Sequence, residues 1–194
     1  MEQYKSIFRL DGKVALITGS TKGIGRAIAE AMAAQGAKVV VSSRKADKCA
    51  EVAGAIAEGG GEAIALPCNI SDDAQLDQLV GATLDAWGRI DILVCNAAVN
   101  PYYGPLQDLP DDAYEKTMAS NVRANLKLAK LTLPQMAELG GGSMQIVSSV
   151  AGIKGTDTIG VYGISKAADM AIARNLAVEW GPRNIRVNAL APAI

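Results

Sequence analysis

The sequence predicts a doubly wound parallel α/β sheet, built as a single domain over residues 1–194. Three observations carry that expectation. Short apolar runs alternate with longer helix-like stretches along the whole chain, the pattern of parallel strands joined by right-handed helical crossovers. The short runs are apolar throughout, as strands covered by helices on both faces must be. A glycine-rich turn follows the first run directly.

Taken in order, Lys13 to Thr18 (KVALIT) reads as the first strand, and Ile24 to Gln35 as a helix stopped by Gly36. Lys38 to Ser42 is the second strand. Asp47 to Glu58 is a helix closed by three glycines, and Glu62 to Leu66 is the third strand. Ser71, followed by Asp72 and Asp73, predicts an N-cap with acidic residues in the first turn of a helix reaching Trp87. Asp91 to Cys95 is the fourth strand. A long helix is expected over Asp111 to about Ala137, with Pro134 disturbing its last turns. Ser143 to Ser148 is the fifth strand, Val161 to Trp180 a helix stopped at Gly181-Pro182, and Ile185 to Leu190 the sixth strand. Six strands and five helices in this order imply a Rossmann-type sheet. No linker or internal repeat divides the chain.

Composition removes several classes of function. The 194 residues carry 19 basic and 20 acidic side chains, a net charge of −1, with no basic patch to neutralise phosphates, so a nucleic-acid partner is not expected. Histidine is absent, which excludes Ser-His-Asp and Cys-His nucleophiles and any metal site needing imidazole. No metal is expected. Proton transfer near neutral pH then falls to a carboxylate, cysteine, lysine or tyrosine with a shifted pKa. Cys49, Cys68 and Cys95 form no CxxC pair and suit buried, reduced thiols. Met1 to Lys5 has no apolar leader-like run, and no segment reaches 18 uninterrupted apolar residues. A cytoplasmic protein without a membrane partner is expected.

The first strand runs into Thr18-Gly19-Ser20-Thr21-Lys22-Gly23-Ile24-Gly25. Glycines there permit positive φ and let backbone N–H groups approach a pyrophosphate, while the following helix offers its positive N-terminus. A Walker-type loop is excluded, because no Gly-Lys-Ser/Thr sequence stands at the required distance. The second strand ends in Ser42-Ser43-Arg44-Lys45, without the carboxylate that would bind the 2′-hydroxyl of NAD. Arg44 can pair instead with a 2′-phosphate through its planar fork, and Lys22 can add a second cation. The alternative is that both are ordinary solvated charges.

Tyr162 and Lys166 stand at i and i+4 on one helix face. A free tyrosine titrates near pH ~10, and a nearby ammonium favours the phenolate, as does the positive ring of an oxidised nicotinamide. Lowering that pKa by roughly three units needs about 4 kcal/mol of differential stabilisation. Ser149 lies thirteen residues before Tyr162 at the end of the fifth strand, on the side of an open sheet where ligands bind. Ser148 competes with it for the same role.

The loop Thr18-Gly19-x-x-x-Gly23-x-Gly25 and the set Ser149-x(12)-Tyr162-x-x-x-Lys166 together resemble the short-chain dehydrogenase/reductase family. The likeness covers the chain from Thr18 through Asn188-Ala189-Leu190-Ala191-Pro192. It implies an NADP(H)-dependent oxidoreductase that moves a hydride between nicotinamide and a ketone or secondary alcohol. Tyr162 would be the acid in carbonyl reduction and the base in alcohol oxidation. Lys166 would lower the tyrosine pKa and hold the nicotinamide ribose, and Ser149 would polarise the substrate oxygen. Asn121 matches the member that holds a proton-relay water, the alternative being a polar helix residue facing solvent.

The resemblance further assigns Gly19, Ser20, Thr21, Lys22, Gly23, Ile24 and Gly25 to the phosphates, with Ser43 and Arg44 at the adenosine ribose. In this family, basic residues at positions 22 and 44 accompany NADP preference. Asn69-Ile70 replaces an Asp-Val pair beside adenine. Asn96-Ala97-Ala98 resembles Asn-Asn-Ala-Gly, with Cys95 and Ala98 departing from that pattern. Two further readings stay open: a non-catalytic NADP-binding scaffold, and an NAD-dependent alcohol dehydrogenase of the same fold. Tyr102 and Tyr103 either flank substrate or lie on the surface. Family members continue past this point with a lid and a seventh strand, so 1–194 is expected to be a fragment or to have an unrecorded remainder. They commonly pair through the two long helices, which predicts a homodimer or homotetramer. Ala167, Ala168 and Ala171 would allow close approach there.

Overall fold

The computed structural model describes residues 7–193, so the polar start at Met1 to Lys5 and the final Ile194 lie outside the described residues. Strands β1 (Val14–Thr18), β2 (Lys38–Ser42), β3 (Glu62–Ala65), β4 (Ile92–Cys95), β5 (Gly142–Val147) and β6 (Ile185–Leu190) form one parallel sheet in the order β3-β2-β1-β4-β5-β6. The helices between them are α1 (Gly23–Ala34), α2 (Ala46–Glu58), α3 (Asp73–Trp87), α4 (Asp111–Met118), α5 (Ala124–Glu138) and α6 (Gly160–Trp180). Strand order reverses between β1 and β4, and the crevice beyond their carboxyl ends is where an open sheet of this kind binds ligands.

The pleat divides the core in two. Along β1, Ala15 and Ile17 face the side packed by Ala29, Ala33, Val52 and Ile56 of α1 and α2. Leu16 between them faces the other side, with Leu76 and Leu79 of α3, Leu128, Leu133 and Met136 of α5, and Ile172 of α6. All five residues of β1 are buried, which is why the run shows no polar alternation. β6 forms one edge of the sheet, with Arg186, Asn188 and Leu190 exposed.

Three local expectations differ from the structure. Asp72, not Ser71, caps α3: its side chain accepts the N–H groups of Ala74 and Gln75. Ser71 turns to Ser120, with 2.7 Å between the hydroxyls. Pro134 does not disturb the long helix, and α5 continues to Glu138. The carbonyl that loses its donor is that of Lys130, an exposed residue within reach of water. The break comes earlier, as one π-turn at Ala119–Arg123 joining α4 to α5. Such turns insert an extra residue into a helix and concentrate at functional sites.

At the amino ends of the strands Asp91 is nearly buried. It accepts from the Val14 N–H at 3.0 Å, Arg89 Nε at 2.8 Å and Lys13 Nζ at 3.2 Å. Burial pushes its carboxyl up, but these three donors outweigh burial and leave it below the usual carboxylate range. A lowered folded pKa adds stability that is present above the unfolded value near ~3.9 and lost as pH falls through the folded one. Asp91→Asn is therefore expected to lower unfolding stability by about 2 kcal/mol at neutral pH. Denaturant melts should show the deficit shrinking below pH ~4, and a deficit constant with pH would refute the charge argument.

Candidate active site

β1 ends at Thr18, and the chain turns through Gly19 at φ 67°. A Cβ on Gly19 would stand 2.9 Å from Asn96 Nδ2 and 3.0 Å from Ala97 Cα, and one on Gly25 would run into the Gly19 carbonyl. The tightness comes from the tip of β4. Asn96 Nδ2 donates to the carbonyls of Thr18 and Gly19, each at 3.0 Å, and Thr18 Oγ1 accepts the N–H groups of Asn96 and Ala97. Ser20 also serves the loop itself. Its hydroxyl donates to the Ile17 carbonyl at 2.8 Å and accepts from Ser42 N–H at 2.8 Å, and its own N–H donates to the Ser42 carbonyl. Of the expected phosphate-loop residues, Ser20 is thus internally committed. Lys22, Gly23 and Ile24 are exposed, Thr21 is half-buried, and Lys22 opens α1.

Beside this loop, Ser43 Oγ lies 3.3 Å from Cys49 Sγ, and Arg44 projects exposed past the end of β2. Among the described residues no carboxylate pairs with Arg44 or Lys22. Asn69 holds its own turn, accepting Ser71 N–H on Oδ1 and donating its N–H to Gln75 Oε1. Ile70 packs partly against the core, while Ala98 is exposed. Two polar atoms at these strand ends, Ser42 Oγ and Asn100 Oδ1, are buried without a hydrogen-bond partner among the described residues.

The second half of the site forms where β5 meets α6. Gly163 has no Cβ, and one there would stand 2.6 Å from the Ala151 carbonyl, so the turn Val150–Gly152 lies directly on α6. That approach carries Ser149 to Tyr162. Ser148 is spent elsewhere, donating to the Lys166 carbonyl at 2.7 Å. Ser149 Oγ accepts Ala151 N–H at 3.1 Å and also bears on the Tyr162 phenol. The structure therefore separates the two serines that the sequence left in competition.

The expected lowering of the Tyr162 pKa invokes the positive nicotinamide ring as well as Lys166; in the chain alone the phenol is raised. Burial pushes its phenol above the ordinary value; Ser149 pulls it down, and Asp169 and Tyr103 push it up. Burial is the largest cause, and Lys166 is turned to partners of its own. Its ammonium is buried and donates to the Val147 carbonyl at 2.8 Å and to Asp169 Oδ2 at 3.0 Å, standing 5.6 Å from the centre of the Tyr162 ring. A charge paired this way projects little net field onto a neighbour.

Asn121, fully buried in the π-turn, does not face solvent. Its Nδ2 donates to the Val99 carbonyl and Ser165 Oγ, its Oδ1 accepts Val99 N–H, and its carbonyl accepts from Asn125 Nδ2 at 2.7 Å. Asn125 Nδ2 also donates to Asp169 Oδ1 at 2.9 Å. One polar chain thus runs Asn121–Asn125–Asp169–Lys166. Asn125 and Asp169 were missed in the sequence. The available signal was a lone carboxylate seven residues after Tyr162 on the same helix face, and an asparagine one turn after Asn121.

The rim closes where Gly104 N–H donates to the Thr158 carbonyl at 2.8 Å and Gly104 bridges Ile159. Tyr102 hydroxyl is turned back to the Pro105 carbonyl, whereas Tyr103 is 73% exposed and close enough to raise the Tyr162 pKa. A separate hollow of about 370 Å³, bounded by Arg9, Glu30, Ile56 and Gly60, lies at the opposite end of the strands, away from this chemistry. Among the described residues no cluster of His, Cys, Asp and Glu could hold a metal, and no helix is long and apolar enough to cross a membrane.

A 3-2-1-4-5-6 parallel sheet with a glycine loop after β1 defines the Rossmann class of α/β domain. The short chain dehydrogenase family model matches residues 13–194, and the chain belongs to that family of oxidoreductases, which use a nicotinamide cofactor, NAD or NADP. Among curated relatives, dehydrogenase/reductase SDR family member 4 of Bos taurus is 41% identical over 185 residues, covering 95% of this chain and 66% of the relative. The chain thus spans about two thirds of that relative's length. An uncharacterized oxidoreductase of Thermotoga maritima is 41% identical, covering 93% of this chain and 71% of its own length. Among solved structures, a 7α-hydroxysteroid dehydrogenase in complex with NADH and 7-oxo glycochenodeoxycholic acid is similar at a TM-score of 0.92. It shares 38% identity, over 96% of this chain and 72% of that one. A 3-ketoacyl-ACP reductase from Sinorhizobium meliloti 1021 superposes at 0.90 with 40% identity, over 93% and 71% of the two chains.

Proposed function

We propose that the chain carries the cofactor-binding and catalytic core of an NADP(H)-dependent reductase of ketones, running reversibly on secondary alcohols. The observation that carries the reading is the convergence of Ser149, Tyr162 and Lys166 at the carboxyl end of β5, on the same end of the sheet as the glycine loop after β1, with β4 between them. When bound, the nicotinamide supplies or accepts the hydride. The glycine loop suits a pyrophosphate: Gly19 and Gly23 take positive φ, and the absence of a Cβ at Gly19 and Gly25 lets the turn and the start of α1 pack tightly against the tip of β4. Arg44 and Lys22, both exposed and without a carboxylate partner among the described residues, suit a 2′-phosphate. The bound NADH of the hydroxysteroid dehydrogenase makes NAD the competing choice.

Tyr162 donates its phenolic proton to the substrate oxygen as the carbonyl is reduced. Burial holds the phenol above its ordinary value, so it carries the proton that the acid role requires at neutral pH. Ser149 donates a hydrogen bond to the same oxygen. Asn121 clamps Val99, which fixes the loop opposite. Tyr103 meets the substrate body, and Tyr102 braces the rim. Buried, free Cys49, Cys68 and Cys95 fit a reducing cytoplasm. Ile164 and Val178 of α6 and Leu126 of α5 are exposed apolar residues, which supports homo-oligomer formation through these helices.

The test is a panel of ketones, diketones, oxo-steroids and β-ketoacyl thioesters assayed with NADPH and NADH, alongside cofactor titrations. Oxidation of NADPH by at least one carbonyl is expected. Tight NADPH binding with no oxidation by any of them would establish the scaffold reading instead.

A further inference from the structure

Asp169, the buried partner of Lys166 at the foot of Tyr162, is a residue that the reaction above does not use. Asp169 is fully buried on α6, and both of its oxygens accept from donors: Lys166 Nζ on Oδ2 at 3.0 Å and Asn125 Nδ2 on Oδ1 at 2.9 Å. Lys166 is itself only 2% exposed. A buried charge of either sign is costly unless it is paired and hydrogen-bonded. The helix could have met that demand with an apolar side chain at 169 and a lysine reaching toward solvent. It places a carboxylate one turn beyond the lysine instead, and fixes that carboxylate from α5.

We propose that Asp169 is a positioning residue of the reaction: its carboxylate anchors the Lys166 ammonium and cancels part of its charge, and so sets the pH at which Tyr162 exchanges its proton. The inference rests on the reading of Tyr162 as the acid. Without Asp169, the ammonium would act on the phenol as a single positive charge. With it, the phenol faces a nearly neutral pair, together with the Tyr103 hydroxyl from the loop after β4 and the Ser149 hydroxyl from the turn after β5. From β4, Cys95 adds no charge at neutral pH, because burial pushes its thiol far up. Asn121 and Asn125, from the π-turn and α5, are uncharged. Asp169 is therefore the anion that opposes ionisation of the phenol from within this cluster. Burial raises the Asp169 carboxyl above the usual carboxylate range, and Lys166 and Asn125 offset part of that rise. Two donors on its two oxygens fit the ionised form.

The test is a direct titration. The chain is prepared with tyrosine labelled with carbon-13 at the ring carbon bearing the hydroxyl, and the Tyr162 resonance is identified by its loss in Tyr162→Phe. In Asp169→Asn the Tyr162 midpoint is expected to fall by about one pH unit, as removal of a nearby like charge predicts. The alkaline limb of carbonyl reduction should fall by the same amount. Asp169→Glu should restore both toward the original values. An unmoved Tyr162 midpoint in a folded Asp169→Asn protein would overturn the proposal and leave Asp169 a packing residue. If the amide variant does not fold, Asp169→Ser removes the same charge, keeps a hydroxyl acceptor for Lys166, and is read the same way. The titration needs neither cofactor nor substrate. An inactive chain whose Tyr162 midpoint shifts would therefore count against the reductase reading alone, and an active chain with an unmoved midpoint against Asp169 alone.

Discussion

Tyr162→Phe is expected to lower turnover by about 10³-fold or more while NADPH binding stays within about twofold of the unsubstituted chain. General acid catalysis contributes ~10²–10⁴ in rate, and the substitution deletes the proton donor with no other change in the ring. Ser149 stays capped on Ala151, Ser148 stays bonded to the Lys166 carbonyl, and Lys166 keeps both Val147 and Asp169. The local structure has no reason to move, and thermal melts should agree to within a degree or two, since the half-buried hydroxyl contributes at most ~1 kcal/mol. Stopped-flow and steady-state rates with the best carbonyl of the panel give the first number, and fluorescence titration with NADPH gives the second. Residual turnover within tenfold of the original would remove Tyr162 from the acid role. No histidine exists anywhere in the chain to take it over.

The sheet was legible because each strand is a short apolar run closed by glycine or polar residues, and buried parallel strands need nothing else. Val14–Thr18, Lys38–Ser42 and Ile185–Leu190 fall within a residue of the expected limits. What stayed hidden depends on contacts between elements. Nothing local marks 119–123 as a π-turn; it follows from Asn121 reaching Val99 and Ser165 on other elements. Ser71 and Asp72 are both good caps, and Ser120 decides between them by engaging Ser71. The site was legible as an inventory and not as electrostatics. Spacing paired Tyr162 with Lys166, but not Lys166 with Asp169, whose other donor Asn125 comes from a different helix. Ser20 shows the same limit: a loop hydroxyl that suits a phosphate is turned inward to Ile17 and Ser42.

Arg44→Asp is expected to weaken NADPH by about 10²–10³-fold and to leave NADH within about threefold, or tighter. The argument begins with the end of β2, where Ser42 closes the strand and Ser43 turns toward Cys49, leaving Arg44 as the first side chain free to meet the adenosine ribose. A guanidinium–phosphate pair contributes ~1.5–3 kcal/mol through charge-assisted hydrogen bonds. A carboxylate at the same place removes that and adds repulsion of a similar sign, so ~3–4 kcal/mol is at stake, at ~1.4 kcal/mol per tenfold. NADH carries a hydroxyl where NADPH carries the phosphate, and a carboxylate can accept a hydrogen bond from it. Because Arg44 is exposed and free of carboxylate partners among the described residues, the substitution leaves the fold intact and isolates the binding term. Raising salt should shrink the NADPH difference, as screening of an exposed charge requires. A second substitution, Lys22→Ala, should add a smaller loss for NADPH alone, since its ammonium is a single point charge on a flexible stem. Equal weakening of both cofactors by Arg44→Asp would instead mean that residue 44 braces the loop rather than reading the phosphate, and the preference for NADP would have to be given up.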